Sequence, residues 1–253
     1  MGFYIPGFPT EVSETIEFPD IAEMLLHPMF RVATPETLRK YGTEFQKELL
    51  DKTPLKNNTK HVTIWSVVNV IDNGQRVMTN YDPKRSNSEW HIDGCEIDDA
   101  FDHIYPIETC HLLLSYTTAL TQFNKNKINF TGEVEKYNIS EFHQYLNRIN
   151  LNELITPQSI EPNKIYTFSN HLHRAVPPNR IEFRYTWRVR ETNKEYIPKH
   201  EMSQMIIENT AFDIHKQDWF SNLIKEHHNH KISIYFPAGV WNYFNKNMDV
   251  DDL

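Results

Sequence analysis

The stretch SEWHIDG (88–94) carries His91 and Asp93 two positions apart, in a segment whose composition favours an extended chain. In a strand, residues i and i+2 share a face, so both side chains can reach one point above the sheet while Ile92 packs the other way. Imidazole nitrogens and carboxylate oxygens are common metal ligands. The pair therefore predicts part of a metal site, and the remaining ligand must come from another strand.

A second source of ligands lies downstream, in the stretch NKIYTFSNHLHRAVPP (163–178). Here a predicted strand runs into His171 and His173. Alternation along an extended segment puts both histidines on one side, so it does not choose between them. Either would complete a set of two histidines and one carboxylate, which suits non-haem Fe(II) and leaves coordination positions open.

The next predicted strand, IEFRYTWRVR (181–190), has charged side chains along one face. That face carries Glu182, Arg184, Thr186, Arg188 and Arg190, and the other carries aromatic and aliphatic residues. A row of charges on a face that should point inward indicates a ligand for at least one of them. A guanidinium fork is suited to hold a carboxylate through two parallel hydrogen bonds.

The elements that must position these residues are mainly strands. β-Branched and aromatic runs bounded by turn residues predict strands at 61–72, 75–82, 89–93, 110–120, 127–137, 164–170 and 181–190. Helical spacing of apolar residues predicts helices within 11–53, 140–155, 200–212 and 215–228. The fold class expected is mainly β with helical flanks. The strand count is that of a β-sandwich or a jelly roll, and the form expected is the double-stranded β-helix, a cupin-like jelly roll.

We expect one domain over residues 1–253. Its parts are a helical N-terminal flank at 1–58, a jelly-roll core at 60–192 and a helical C-terminal extension at 196–253. The two cysteines, Cys95 and Cys110, form no Cys-x-x-Cys pair and predict a reducing compartment. No apolar window approaches a membrane span and no basic leader precedes an apolar run, so the expectation is a cytoplasmic protein without a membrane partner.

The net charge of −8 provides no basic field over the whole chain, which disfavours nucleic acid as a partner. A local basic rim is the exception considered, formed by Lys84, Arg85, Arg174, Arg180, Arg188 and Arg190. Of the other histidines, His103 and His111 are candidates for the pocket but are more often half-buried residues with satisfied hydrogen bonds. His227, His228 and His230 are interpreted as a solvated helix end.

Taken together, WHIDG, TFSNHLHRAVP and Arg184 followed by Thr186 resemble the 2-oxoglutarate and Fe(II)-dependent oxygenase superfamily. That family has His-x-Asp, a distal histidine, and an arginine about ten residues later. The resemblance covers roughly residues 60–192 and favours His173 over His171. It implies that His91, Asp93 and His173 bind Fe(II), and that Arg184 and Thr186 bind 2-oxoglutarate. Tyr116 is a further candidate contact to the cosubstrate.

The function expected from this resemblance is hydroxylation of a small molecule, with release of succinate and CO2. The substrate is expected near residues 80–90 and 95–108. Desaturation, cyclisation and demethylation share the same iron site and stay open, as does the oligomeric state. Two alternatives remain. One is an oxygenase acting on a nucleobase or polynucleotide, and the other is a cupin-like metal-binding module without redox chemistry.

Overall fold

The protein is mainly β, with antiparallel sheets and short helices. The computed structural model describes residues 2–24, 27, 29–71, 90–93, 95–97, 104–106, 108–131, 151–180 and 182–193. Within these ranges, no helix has the length and apolar character needed to span a bilayer.

The elements follow one another in an order dominated by strands. The strands are β1 (Gly2–Ile5), β2 (Thr10–Glu11), β3 (Phe30–Ala33), β4 (His61–Ile71), β5 (Cys95–Ile97), β6 (Ile104–Pro106), β7 (Glu108–Ser115), β8 (Gln122–Asn124), β9 (Ile128–Thr131), β10 (Pro157–Ser159), β11 (Tyr166–Phe168), β12 (His173–Arg174) and β13 (Glu182–Thr192). The helices are α1 (Ile21–Met24), α2 (Pro35–Tyr41), α3 (Glu44–Lys52) and α4 (Leu151–Leu154).

The largest sheet has six strands in the order β2-β11-β7-β13-β4-β3. The long strand β13 lies near its centre and pairs with β4 from Glu182↔Ile71 to Thr192↔His61. On its other side β13 pairs with β7. The continuous β-branched and aromatic runs of β4 and β13 suit such central positions, because both faces of a central strand are covered.

A three-stranded sheet, β10-β8-β12, contributes the opposing layer. A hydrophobic cluster joins the two sheets, with Cys110, Leu112 and Leu114 from β7 meeting Phe123 from β8. In the β13–β7 register, Thr186, Arg188 and Arg190 stand opposite Leu114, Leu112 and Cys110. Their side chains therefore project from the face of the large sheet that the small sheet covers. We call this the inner face.

The other face of the large sheet is covered by the N-terminal helices. Trp187 and Val189 of β13 pack there with Leu38 of α2 and Leu49 of α3. Thr34 begins α2 by accepting from the backbone of Thr37. Thr43 begins α3 with a capping box to Gln46. These caps satisfy backbone donors that would otherwise lack partners at each helix start.

The structure differs from the sequence predictions in three respects. The N-terminal segment is helical only in part, because β2 and β3 pair with β11 and β4 as the outer strands of the large sheet. The predicted strand at 89–93 is reduced to one bridge at His91. The predicted strand at 110–120 ends at Ser115, where Tyr116 adopts a positive φ of 59°. The predicted strand at 75–82, the first part of the 140–155 helix and the whole 196–253 extension lie outside the described residues.

Candidate metal centre

His91, Asp93 and His173 come together between the two sheets. Their ligand atoms all lie within 4.8 Å of one another. Oδ2 of Asp93 is 3.6 Å from Nε2 of His173 and 4.0 Å from Nε2 of His91. The His173 side chain is 9% exposed, whereas that of Asp93 is 41% exposed. The cluster is thus enclosed on the His173 side and open to solvent at the carboxylate.

Backbone pairing positions the two imidazoles. His91 and His173 form an isolated antiparallel bridge. The N–H of each donates to the carbonyl of the other at 2.9 Å. Directly opposed residues of an antiparallel pair place their side chains on one face. The two rings consequently lie with their centroids 4.3 Å apart.

A further hydrogen bond fixes the orientation of the His173 ring. Its Nδ1 lies 2.9 Å from the carbonyl oxygen of His171. A carbonyl can only accept, so Nδ1 carries the proton and Nε2 faces Asp93. The ring also stacks on Phe123 at 5.4 Å. Such a backbone partner is typical of metal-binding histidines, because it selects the tautomer with a free ligand nitrogen.

The donor types, and two of the three separations between them, fit a divalent transition metal. Two donors about 2.1 Å from one ion can be at most about 4.2 Å apart, as follows from typical metal–nitrogen and metal–oxygen distances. The separations of 3.6 and 4.0 Å between Oδ2 and the two imidazole nitrogens lie below that limit. Two imidazoles and one carboxylate with open positions are suited to non-haem Fe(II).

Asp93 is held in its ionised form by its neighbours. Burial alone would raise its pKa, but His173 and His91 in their protonated forms, together with the charge of Arg188, outweigh burial and hold the pKa well below its usual range. Nη2 of Arg188 lies 3.2 Å from Oδ2 of Asp93. The carboxylate is therefore available as a metal ligand over the whole physiological range of pH.

Arg184 lies on the same strand face as Arg188, about 13 Å further towards the start of β13 at roughly 3.3 Å per residue. It is 5% exposed. Its Nε and Nη1 atoms have no hydrogen-bond partner among the described residues. Burial lowers its pKa to about 10, although the charge of Glu182 raises it. A buried guanidinium with unused donors is costly, and an anionic ligand would satisfy it.

Among the described residues, Arg184 forms no salt bridge with the neighbouring carboxylates of Glu182 and Glu191. The Glu182 carboxylate accepts from the backbone of Thr118 and the hydroxyls of Thr117 and Thr118. Glu191 accepts from the backbone of Lys56 and the hydroxyl of Thr59.

Thr186 is buried at 9% exposure, two residues after Arg184 and on the same face. Tyr116 is placed elsewhere. Its hydroxyl donates to the carbonyl of Pro19, and its ring packs against Phe18 and the cluster on the helix-covered face. Thr186 thus lies on the inner face with Arg184. The Tyr116 hydroxyl instead bonds the N-terminal segment at Pro19.

The remaining histidines in the described part of the chain do not join the cluster. His171 accepts from the backbone of Ser169, and burial together with the charge of His173 lowers its pKa to about 4. His111 bonds Thr167 and Glu191 and is 1% exposed, so it is a buried histidine with satisfied hydrogen bonds. His103, His227, His228 and His230 lie outside the described residues, as do most of the proposed substrate segments.

From its alternation with Arg184, Arg188 was expected on the charged face of this strand and was considered for a basic rim, but it was not assigned to the metal site. Its guanidinium lies between the sheets and bonds Asp93 and Sγ of Cys110. The alternation that puts Arg184 inward puts Arg188 inward too, and this signal could have identified it. Of the other rim candidates, Arg190 pairs with Glu108, and Arg174 bonds Gln122 and lies 4.8 Å from the Trp90 ring centroid.

Comparison of the chain with protein-family models, with curated proteins and with solved structures finds no match. The geometry of the site and the chemistry of its residues therefore carry the functional argument.

Proposed function

We propose that the protein is an Fe(II)- and 2-oxoglutarate-dependent dioxygenase that hydroxylates a small molecule. The observation that carries the proposal is the combination of the His91, Asp93 and His173 cluster with a buried Arg184 on the inner face, whose Nε and Nη1 have no partner among the described residues. The first provides a centre for Fe(II), and the second provides a cationic site for the far carboxylate of a dicarboxylic cosubstrate.

The strand order supports a jelly roll as the scaffold. A six-stranded and a three-stranded antiparallel sheet face each other across one hydrophobic cluster. The His91 bridge extends the small sheet next to β12. Such double-sheet folds enclose a ligand between the layers, and the candidate site lies there.

His91, Asp93 and His173 would hold the ion, and Arg184 with Thr186 would hold the cosubstrate. When bound, iron and 2-oxoglutarate supply the chemistry by which O2 converts 2-oxoglutarate and a C–H bond into succinate, CO2 and an alcohol. The chain itself orients the ligands through the backbone bridge and the His171 carbonyl. The apolar residues of both sheets exclude water from the enclosed side of the site.

Arg184 is the residue that would make the site selective for a dicarboxylate. A buried guanidinium can donate two parallel hydrogen bonds to one carboxylate, which lysine cannot reproduce. Thr186 lies on the same face and adds a hydroxyl donor. The unused Nε and Nη1 donors of Arg184 favour this reading over a metal-binding module without a cosubstrate.

The test is release of succinate from 2-oxoglutarate by the full chain, with Fe(II) and O2, measured by NMR. We expect succinate to form slowly even without the primary substrate, and to disappear when Asp93 is replaced by alanine. Metal binding without any turnover of 2-oxoglutarate would instead favour the metal-binding module. Salt-dependent binding of DNA or RNA would favour the polynucleotide alternative.

A further inference from the structure

Arg188 contacts the oxygen atom that the metal would need. Its Nη2 lies 3.2 Å from Oδ2 of Asp93. Oδ2 is also the carboxylate oxygen whose distances to Nε2 of His173 and of His91 are 3.6 and 4.0 Å. A guanidinium and a divalent ion would therefore share one oxygen.

The position of Arg188 is fixed from a second side. Its Nε donates to Sγ of Cys110 at 3.4 Å, and Cys110 is buried in the cluster between the sheets. In the β13–β7 register Arg188 stands opposite Leu112, so its stem is enclosed by strands on the inner face. A guanidinium keeps its charge over the physiological range of pH, so Arg188 stays cationic beside Asp93.

The charges within the cluster have an unusual balance. Among the described residues Asp93 is its one carboxylate, and the two histidines are neutral when they bind a metal. Arg188 cancels the single negative charge of Asp93. A divalent ion that enters alone meets a donor set without net negative charge and a fixed cation next to its ligand oxygen, and both disfavour binding.

We propose that Arg188 keeps the affinity of the centre for a bare divalent ion low and couples metal binding to the arrival of a 2-oxo acid. The inference rests on the proposed function, because the anion it invokes is the metal-chelating carboxylate of that cosubstrate. This carboxylate brings negative charge to the shared region and offsets the repulsion between the ion and Arg188. Linkage then requires that the metal and the 2-oxo acid raise each other's affinity.

The opposite role for Arg188 is to orient Asp93 as a hydrogen-bond partner. Loss of such a partner typically weakens metal binding by about 10- to 100-fold. The two roles thus predict opposite changes in metal affinity when the charge at position 188 is removed. Affinity rises if Arg188 repels the ion and falls if Arg188 orients Asp93. Arg188→Gln removes the charge and keeps a hydrogen-bond donor, and Arg188→Lys keeps the charge without the planar fork.

The experiment measures the affinity of Mn(II) by isothermal titration calorimetry, for the wild-type chain and both variants, with and without 2-oxoglutarate. Mn(II) is the probe because it suits the same ligands and is not oxidised during the titration. We expect Arg188→Gln to bind Mn(II) alone about tenfold more tightly than wild type, a size common for couplings between linked sites. Arg188→Lys should stay near wild type. Addition of 2-oxoglutarate should raise Mn(II) affinity more in wild type than in Arg188→Gln.

Equal or weaker binding of bare Mn(II) by Arg188→Gln, with thermal unfolding as in wild type, overturns the inference in favour of the orienting role. If Arg188→Gln does not fold, Arg188→Lys decides instead. It keeps the charge and loses the planar fork, so an affinity for bare Mn(II) well below that of wild type also overturns the inference. Pyruvate separates this inference from the proposed function, because it has the 2-oxo acid group without the far carboxylate. If pyruvate raises Mn(II) affinity in wild type and 2-oxoglutarate does so no better, the coupling stands and the 2-oxoglutarate assignment fails.

Discussion

His91 and His173 exchange two backbone hydrogen bonds, each 2.9 Å long, in an isolated bridge, although they lie 82 positions apart in the printed sequence. The bridge determines how far apart the two ring nitrogens can be before any ion binds. A centre whose ligands are already in place loses little conformational entropy when the metal arrives.

Replacing either bridge histidine by alanine should abolish Mn(II) binding and succinate release, because each removes one of three ligands. The backbone bridge survives the substitution, so thermal unfolding should change little. Calorimetric titration with Mn(II) measures the first effect. His171→Ala is the matched control, since His171 bonds the His173 ring through its backbone carbonyl, which the substitution keeps. Loss of metal binding in that control, with retention in His173→Ala, would show that the wrong histidine has been assigned.

Arg184→Met should stabilise the ligand-free protein. The arginine is buried with two unused donors, and replacing a buried charge by an apolar side chain of similar length often adds about 1–4 kcal/mol to the free energy of unfolding. Urea unfolding of both proteins without cosubstrate measures the difference. Arg190→Met is the control on the same strand face: Arg190 is paired with Glu108 and partly exposed, so its loss should change stability by only about 0–1 kcal/mol.

Arg184→Lys should raise the concentration of 2-oxoglutarate needed for half-maximal succinate release by roughly tenfold or more, because a buried carboxylate loses its two-pronged partner. Thr186→Ala should raise it mildly. Mn(II) affinity without cosubstrate should stay unchanged in both variants. An unaltered requirement for 2-oxoglutarate in Arg184→Lys would remove the main support for the proposed cosubstrate site.

The stability of the protein should fall as the pH drops below 6.5, in part because of His111. Burial lowers the pKa of His111 below 6.5, although Glu191 raises it. Below 6.5 the unfolded chain therefore takes up a proton that the folded chain does not, and the free energy of unfolding decreases. Below pH 4.5 Glu191 adds to this loss: burial alone would raise its pKa, but hydrogen bonds from His111, Lys56 and Thr59 lower it.

His111→Gln should make that pH dependence shallower between pH 6.5 and 5, as measured by urea unfolding at several pH values. His61→Gln, the same substitution at an exposed position on β4, is the matched control for the loss of a histidine. A variant His111→Gln with the full wild-type dependence would assign the effect to other histidines.

The sequence identified the metal cluster because its signal is local. His91 and Asp93 are two residues apart, and alternation in an extended chain alone places them on one face. The inward position of Arg184 follows from the same rule applied to β13. His173 could not be chosen over His171 by alternation, and the structure separates them through a backbone contact: the His171 carbonyl holds Nδ1 of His173.

Long-range pairing is what the sequence could not provide. Apolar spacing predicted helices within residues 11–53, but β2 and β3 are strands. They pair with β11 and β4, whose edges in the large sheet would otherwise have unpaired backbone groups. Tyr116 was assigned to the pocket on the assumption that its strand continued. The strand ends at Ser115, and the positive φ of Tyr116 is compatible with a ring on the other face, against Phe18.

The central position of β13 also has a consequence for how the chain reaches its native state. It is the last strand of the described part of the chain, yet its residues pair with residues of β4 that precede them by 111 to 131 positions and with residues of β7 that precede them by 70 to 84 positions. During synthesis, the backbone groups of β4 and β7 that face β13 lack their native partners until residue 192 has left the ribosome. Folds dominated by such distant pairings form slowly, since loop closure precedes any gain in contacts. We therefore expect the nascent chain to depend on chaperones, and the metal centre to be completed only after translation has passed β13.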